Sequence, residues 1–205
     1  MVKKVIASRK RSLVVAAQTI LNGGVIVYPT ETIYGLGANA LDPKVVERVF
    51  EIKERRKSNP ILILIPDIQS LEELALEVPD SAQDLMKKFW PGPLTIVFRS
   101  TPMVSKILTA GSGKIGIRLS SDKFCRDLLS ICKIPITSTS ANLSGESNPN
   151  SIEMINKRVL DSVDTIVDAG TLTSQTPSTV VDVTKGKVEL VREGAIAFKE
   201  ILKER

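Results

Sequence analysis

Histidine does not occur anywhere in the 205-residue sequence. It is the usual general base near neutral pH and the commonest zinc ligand, so its absence removes both kinds of chemistry in their usual form. Any reaction of this protein must therefore depend mainly on lysine, arginine, hydroxyl groups, carboxylates and the backbone.

Cysteine is almost as scarce, since only Cys125 and Cys132 are present. They are seven residues apart in one predicted helix, which places them on the same face. We expect them to pack in the core rather than to form a disulfide or a zinc site. This usage is typical of a reducing compartment, and we expect a cytoplasmic protein.

Long hydrophobic runs are missing as well, and none is longer than Ile61 to Ile65. A membrane-spanning helix needs about 20 apolar residues. The segment from Met1 to Arg11 is basic, and no apolar export segment follows it. We therefore expect no signal peptide and no membrane segment.

What is present is the balance of an ordinary globular protein, with 42% apolar and 25% charged residues. The length fits a single domain of residues 1–205. The net charge of +5 and the isoelectric point near 9.2 permit contact with nucleotides or RNA but do not require it.

Helical and strand patterns alternate along most of the chain, which predicts an α/β fold with helices packed on one twisted sheet. The last strands follow one another closely, so we expect a mixed sheet. The predicted helices are Ser8–Asn22, one beginning at Asp42-Pro43, two opening at Ser70 and Asp80, then Asp122–Cys132, Ser151–Leu160 and Ile196–Leu202. The predicted strands are Val25–Tyr28, Ile61–Ile65, Leu94–Phe98, Ile115–Leu119, Ile134–Thr137, Thr165–Val167, Thr179–Val183 and Val188–Val191.

Three of these helices carry a start signal in the sequence. Asp42 can cap free backbone amides, and Pro43 suits the first helical position. Ser70 and Asp80 are each followed three residues later by Glu or Gln, which is the spacing of a capping box.

Two segments concentrate polar side chains directly after a predicted strand. Within Tyr28 to Gly37, two hydroxyls, a carboxylate and a phenol occupy five consecutive positions. Thr137 to Gly145 holds five hydroxyls, an amide and a glycine, a composition that can wrap phosphate oxygens in an anion nest. Ordinary hydroxyl-rich turns have the same composition, so neither segment alone indicates a function.

Cationic side chains stand out at two further places. Lys53 and Arg55 end a helix just before a buried strand, where they can project over the edge of the sheet at which open α/β folds bind ligands. A solvated helix end, favoured by the helix dipole, is the alternative. Arg118 lies within an apolar strand and needs an anionic partner, either a carboxylate of the protein or one of a substrate.

Seven short blocks, taken together and in register, resemble the YrdC-like family of threonylcarbamoyl-AMP synthases. The blocks are PTETIYGLG, KER followed by NP, WPGPLT, GIRLS, STSANLSG, PSTVVD and VREG, and they extend from Pro29 to Gly194. The resemblance implies a single mixed sheet flanked by helices, with a concave ligand site. The chain is most similar to the short, single-domain type of the family.

The resemblance also implies an enzyme, a nucleotidyltransferase. In this family L-threonine, bicarbonate and ATP are joined into threonylcarbamoyl-AMP with release of pyrophosphate. A separate transferase then uses the product to modify the adenosine beside the anticodon of certain tRNAs. Mg²⁺ is expected to arrive with ATP, because the sequence shows no carboxylate cluster dedicated to it.

Matching positions carry the family's roles to particular residues. The positions implied to bind threonine are Thr30, Arg118 and Ser138. The positions implied to bind ATP are Lys53, Arg55, Asn59, the backbone of Lys114, Ser140, Asn142, Asn148 and Arg192. Lys53 and Arg55 are also the implied catalytic pair. Leu64 stands where longer members have a histidine, which leaves that substrate contact open.

Two other functions fit parts of the sequence. A non-catalytic module that binds tRNA or double-stranded RNA would explain the basic isoelectric point, although only eight residues are aromatic and no RNA-recognition block is present. A carbamoyl-adenylate module of the hydrogenase-maturation type shares this kind of domain, but two cysteines cannot build the zinc fingers that accompany it.

Overall fold

The alternating sequence pattern folds into short strands and helices, described for residues 2–6 and 10–203 in a computed structural model. The strands are β1 Lys3–Ile6, β2 Ile26–Tyr28, β3 Gly35–Gly37, β4 Leu62–Leu64, β5 Leu94–Arg99, β6 Lys114–Arg118, β7 Ile136–Ser140, β8 Thr165–Asp168, β9 Thr179–Asp182 and β10 Glu189–Arg192. The helices are α1 Lys10–Leu21, α2 Pro43–Ile52, α3 Leu71–Leu74, α4 Asp80–Phe89, α5 Lys123–Cys132, α6 Lys157–Ser162 and α7 Phe198–Leu202, with a 3₁₀ turn at Ile152–Met154. No helix in this described part of the chain is long and apolar enough to span a membrane.

One sheet contains the ten strands of the described residues, in the order β1-β8-β2-β3-β7-β4-β6-β5-β9-β10. The pairs β1–β8, β8–β2, β4–β6 and β5–β9 are parallel. The other five neighbouring pairs are antiparallel. The prediction of a mixed α/β sheet is therefore confirmed.

Hydrophobic side chains cover both faces of this sheet. Because side chains alternate along a strand, Val27 of β2 enters one core, while Ile26 and Tyr28 enter the other. Helices α1 and α5 complete the second core, which includes Cys125 and Cys132. Both cysteines are buried and free, so the expectation that they serve core packing is confirmed.

Most of the predicted elements lie within two residues of their expected ends. The helix predicted from Ser8 is described from Lys10, and Ser8 and Arg9 lie outside the described residues. Strands β1 and β3 were not predicted. β3 is the short Gly35–Gly37, which pairs with β2 on one side and β7 on the other.

Two predicted elements have the wrong extent. The strand expected at Ile134–Thr137 is β7, Ile136–Ser140, because pairing with β3 and β4 carries it through the hydroxyl-rich residues. The helix expected at Ser151–Leu160 is interrupted, because Ile155 is extended and Asn156 caps a new helix by accepting the amide of Arg158.

Neither predicted capping box forms. Ser70 has helical backbone angles, and its own amide and hydroxyl both donate to the carboxylate of Asp67. In α4 the cap position is Pro79, so Asp80 already lies inside the first turn. The cap at Asp42 is confirmed, since its Oδ1 accepts the amides of Lys44 and Val45 at 2.9 and 3.4 Å.

Replacing Asp42 by Ala should lower the free energy of unfolding by about 1 kcal/mol, because two amides of the first turn of α2 lose their acceptor. Asp42→Asn is the matched control, since it keeps a side-chain oxygen, and it should lose much less. Urea unfolding of the three proteins measures the difference. Equal losses in both variants would show that the oxygen acceptor is not what stabilises this helix start.

Candidate active site

A cavity of about 450 Å³ is lined by the β2–β3 connection, the segment after α2, strands β4, β6 and β7, and the β9–β10 pair. Its size is typical of a small-molecule site. Eight of the eleven residues implied by the sequence blocks line it: Thr30, Arg55, Asn59, Arg118, Ser138, Ser140, Asn148 and Arg192. The other three, Lys53, Lys114 and Asn142, are not part of its lining.

Strand β7 brings the hydroxyl-rich segment into the wall. Ser138 lies opposite Leu62 of β4, and Ser140 lies opposite Gly35 of β3. The amides of Thr137 and Ala141 donate to backbone carbonyls of the chain before and after β3. These two amides are therefore not free to join an anion nest, one of the two interpretations that the composition allowed. The hydroxyls of β7 remain as polar groups of the wall.

Three arginines from distant parts of the chain converge on the cavity. Arg55 is fixed by donating to the carbonyls of Asn59 and Pro60 at 3.0 and 2.9 Å. Arg192 donates to the carbonyl of Ser178 at 2.8 Å. Burial lowers the pKa of Arg55. Burial first, and then the charges of Arg118 and Arg55, lower the pKa of Arg192, so each of these two cations repels Arg192.

Arg118 has the protein carboxylate that its buried position requires. Its Nη1 lies 2.8 Å from Oε1 of Glu31, and its Nη2 donates to Oγ of Ser138 at 3.3 Å. Ser120 donates to the other oxygen of Glu31 at 2.6 Å. Since a guanidinium has five N–H donors, this pairing leaves donors for a second anion at the cavity. The two partners considered for Arg118, a protein carboxylate and a substrate carboxylate, are therefore compatible.

Thr30 lines the cavity from a tight turn of its own. Its Oγ1 donates to the carbonyl of Ile33 at 2.7 Å and accepts the amides of Thr32 and Ile33, each at 3.1 Å. The hydroxyl implied to bind threonine is thus already engaged within the turn. Its role in ligand binding stays a prediction.

Lys53 does not project over the edge of the sheet. Only 1% of its surface is exposed, and its ammonium contacts backbone and side-chain oxygens of Ser140 and Asn142. Burial first, and then the charge of Arg55, lowers the pKa of Lys53 to about 7, while Glu146 opposes the shift. The expectation of a side chain that reaches out to phosphates does not match this position.

Lys114 and Leu64 also lie away from the cavity wall. Lys114 is the first residue of β6, about 13 Å from Arg118 along the strand. Its ammonium pairs with Asp182 at 2.7 Å, and its amide donates to Ser112. Leu64 is fully buried in the core, whereas Leu62 lines the cavity.

Sequence reasoning missed two residues of the site. Glu31 holds Arg118, and Ser178 holds Arg192 with both its carbonyl and its hydroxyl. Both stand inside blocks that carried the resemblance, PTETIYGLG and PSTVVD. For Glu31 the usable signal was that an arginine within an apolar strand needs an acceptor, and the first of these blocks contains a carboxylate. Arg192 is exposed, so this signal does not extend to Ser178.

Several known proteins are similar to this chain in sequence. The Sua5/YciO/YrdC family model, described as telomere recombination, matches residues 18–194. The threonylcarbamoyl-AMP synthase of Pyrococcus abyssi is 38% identical over 92% of this chain and 56% of that protein. A putative threonylcarbamoyl-AMP synthase of Methanocaldococcus jannaschii is 37% identical over 94% of this chain and 90% of that protein.

The likeness extends to a solved structure. The crystal structure of P. abyssi Sua5 complexed with L-threonine has a TM-score of 0.93 and 36% identity, covering 99% of this chain and 60% of that one. The chain therefore spans a little more than half the length of the P. abyssi protein. Because the family model covers most of the sequence and the fold is shared, the chain belongs to the Sua5/YciO/YrdC family.

Proposed function

We propose that this protein is a threonylcarbamoyl-AMP synthase, a nucleotidyltransferase that joins L-threonine, bicarbonate and ATP and releases pyrophosphate. One observation carries the proposal: Arg55, Arg118 and Arg192 converge on a cavity whose described lining contains no acidic residue. The names of the relatives from P. abyssi and M. jannaschii support it.

The charge of the cavity favours small anions as ligands. Arg118 is buried, Arg55 is half-buried and Arg192 is exposed. The charges of Arg118 and Arg55 repel that of Arg192, and phosphate or carboxylate groups that enter between them relieve this repulsion. The hydroxyls of Ser138 and Ser140 and the amide of Asn148 add neutral hydrogen-bonding groups. The volume of about 450 Å³ is typical of a site for small molecules, which favours the enzyme over the RNA-binding alternative.

In the proposed reaction the ammonium group of threonine loses a proton, and the resulting amine combines with bicarbonate to give a carbamate and water. A carbamate oxygen then attacks the α-phosphorus of ATP, and the bond to pyrophosphate breaks. Arg118 anchors the amino acid, while Arg55 and Arg192 neutralise the phosphates. The protein thereby holds together two anions that otherwise repel, in the geometry that the attack requires.

Mg²⁺ belongs to this proposal as a companion of ATP. The described residues contain no group of three or more acidic or cysteine side chains that could hold a metal ion. In this proposal the polyphosphate supplies the main ligands of the ion, and the ion reduces the charge of the polyphosphate. A cytoplasmic setting and a separate transferase that passes the threonylcarbamoyl group to tRNA complete the proposal.

The purified protein should release pyrophosphate from ATP when L-threonine and bicarbonate are both present, with no RNA added, because the carbamate is the nucleophile. A coupled pyrophosphate assay and mass spectrometry of the nucleotide product measure the reaction. Omitting either threonine or bicarbonate is the control. Binding of RNA with no pyrophosphate release under any of these conditions would favour the non-catalytic alternative.

Arg55→Ala should lower kcat/KM by about 10²–10³, because a preorganised charged donor is lost from the phosphate region. Arg56→Ala is the matched control, since it removes the same charge from the next residue, which is exposed and does not line the cavity. Steady-state kinetics with varied ATP compare the two. Similar losses in both variants would show that general charge, rather than the position of Arg55, matters.

Arg118→Lys should raise KM for threonine far more than KM for ATP. Lysine keeps a positive charge beside Glu31, so the buried carboxylate stays paired, but it loses the planar fork that can serve two anions. Kinetics with threonine and ATP varied separately give the two constants. A selective rise in KM for ATP would instead place Arg118 on the nucleotide.

A further inference from the structure

The buried ammonium of Lys53 is surrounded by oxygen atoms of the chain. Its Nζ lies 2.5 Å from the carbonyl of Ser140, 2.9 Å from the carbonyl of Asn142 and 2.8 Å from Oδ1 of Asn142. The Oγ of Ser140 lies at 3.4 Å. An ammonium has three N–H donors, so these oxygens account for all of them.

The backbone of Lys53 holds the same segment at a second point. Its carbonyl accepts the amide of Ser144 at 2.9 Å and the hydroxyl of Ser144 at 3.1 Å. Side chain and backbone of one residue thus fix positions 140, 142 and 144 of the loop that leaves β7.

Asn142 connects Lys53 to the part of the loop that reaches the cavity. While its Oδ1 contacts Lys53, its Nδ2 donates to the carbonyls of Glu146 and Ser147 at 2.7 and 3.1 Å. Ser147 precedes Asn148, which lines the cavity, as does Ser140 at the other end of the loop. Lys53 therefore supports Ser140 and Asn148, which line the cavity, although Lys53 itself does not line it.

The way in which α2 ends explains why Lys53 is buried while Arg55, two residues later, lines the cavity. The amide of Glu54 donates to Glu51, and the amide of Arg55 donates to Phe50, which together form a Schellman turn. Glu54 takes the left-handed position of that turn, with φ of 49°, and its carboxylate pairs with Arg158. This turn sends Lys53 into the protein and leaves Arg55 at the cavity.

We infer that Lys53 is a positioning residue, whose ammonium orders residues 140–148 and thereby presents Ser140 and Asn148 to the ligand, rather than a direct contact of the phosphates. The nature of that ligand rests on the proposed function, but the ordering of the loop does not. The inference can therefore be tested on the protein alone.

Hydrogen exchange of the ligand-free protein, followed by mass spectrometry, measures the ordering directly. Lys53→Met keeps the length of the side chain and removes all donors, and it should make amides of residues 141–148 exchange at least about tenfold faster while the strands are unchanged. Arg55→Met is the matched control, since it removes a cation two residues away, and its loop should exchange as in the wild type. Unchanged exchange in Lys53→Met would overturn the inference.

Lys53→Arg separates positioning from phosphate contact. Arginine is a good phosphate ligand but too large and differently shaped for the place between four oxygens. We therefore expect fast loop exchange and no recovery of ATP affinity relative to Lys53→Met. Recovery of ATP affinity to the wild-type value would assign Lys53 to the phosphates instead.

Asn142→Asp tests the connection from Lys53 through Asn142 to residues 146–148 if the Lys53 variants do not fold. It keeps an oxygen beside the ammonium but loses the two donors to Glu146 and Ser147. Faster exchange should then be confined to residues 146–148. Unchanged exchange there would show that Asn142 does not transmit the order. Because the exchange measurements involve no ligand and no turnover, their results do not depend on whether the proposed reaction occurs.

Discussion

The convergence of three guanidinium groups on one cavity is the constraint around which this site is organised. Each group has been fixed by acceptors that the chain itself supplies: carbonyls for Arg55, Glu31 for Arg118 and Ser178 for Arg192. These acceptors keep the cations close together in the absence of a ligand. Positive potential is thereby concentrated in one concavity, where water competes less effectively for an incoming anion.

The order of the strands is what makes this convergence possible. β7 lies between β3 and β4, so a segment from the second half of the chain is inserted among strands of the first half. At one edge of the sheet, β9 and β10 follow β5, and they bring Arg192 into the wall of the cavity. Residues as far apart in sequence as Thr30 and Arg192 therefore line one cavity, although no short motif contains both.

Local patterns predicted the elements well and the side-chain positions less well. Asp42 and Pro43 marked the start of α2 because a cap depends on neighbouring residues alone. The capping box at Ser70 failed because a nearer acceptor, Asp67, took its hydroxyl. The end of β7 was misplaced because pairing with β3, a strand too short and too rich in glycine to be seen in the sequence, decides where it stops.

The same distinction applies to the site. The seven blocks predicted which residues meet, and eight of eleven do line one cavity. They did not show that Lys53 turns inward, since this depends on a left-handed residue at Glu54, where glycine is the usual choice. Nor did they show that Glu31 and Ser178 hold the arginines, because these contacts join segments far apart in sequence.

Strand β10 adds a thermodynamic consequence. It is the last strand of the described sheet, its residues are the most exposed of any strand near the cavity, and its pairing with β9 shifts register before Arg192. Segments of this kind separate from a sheet at a lower cost than central strands do. A ligand that contacts both Arg192 and the other two arginines would hold β10 in the sheet. Binding in the cavity would therefore stabilise this edge of the sheet against local opening.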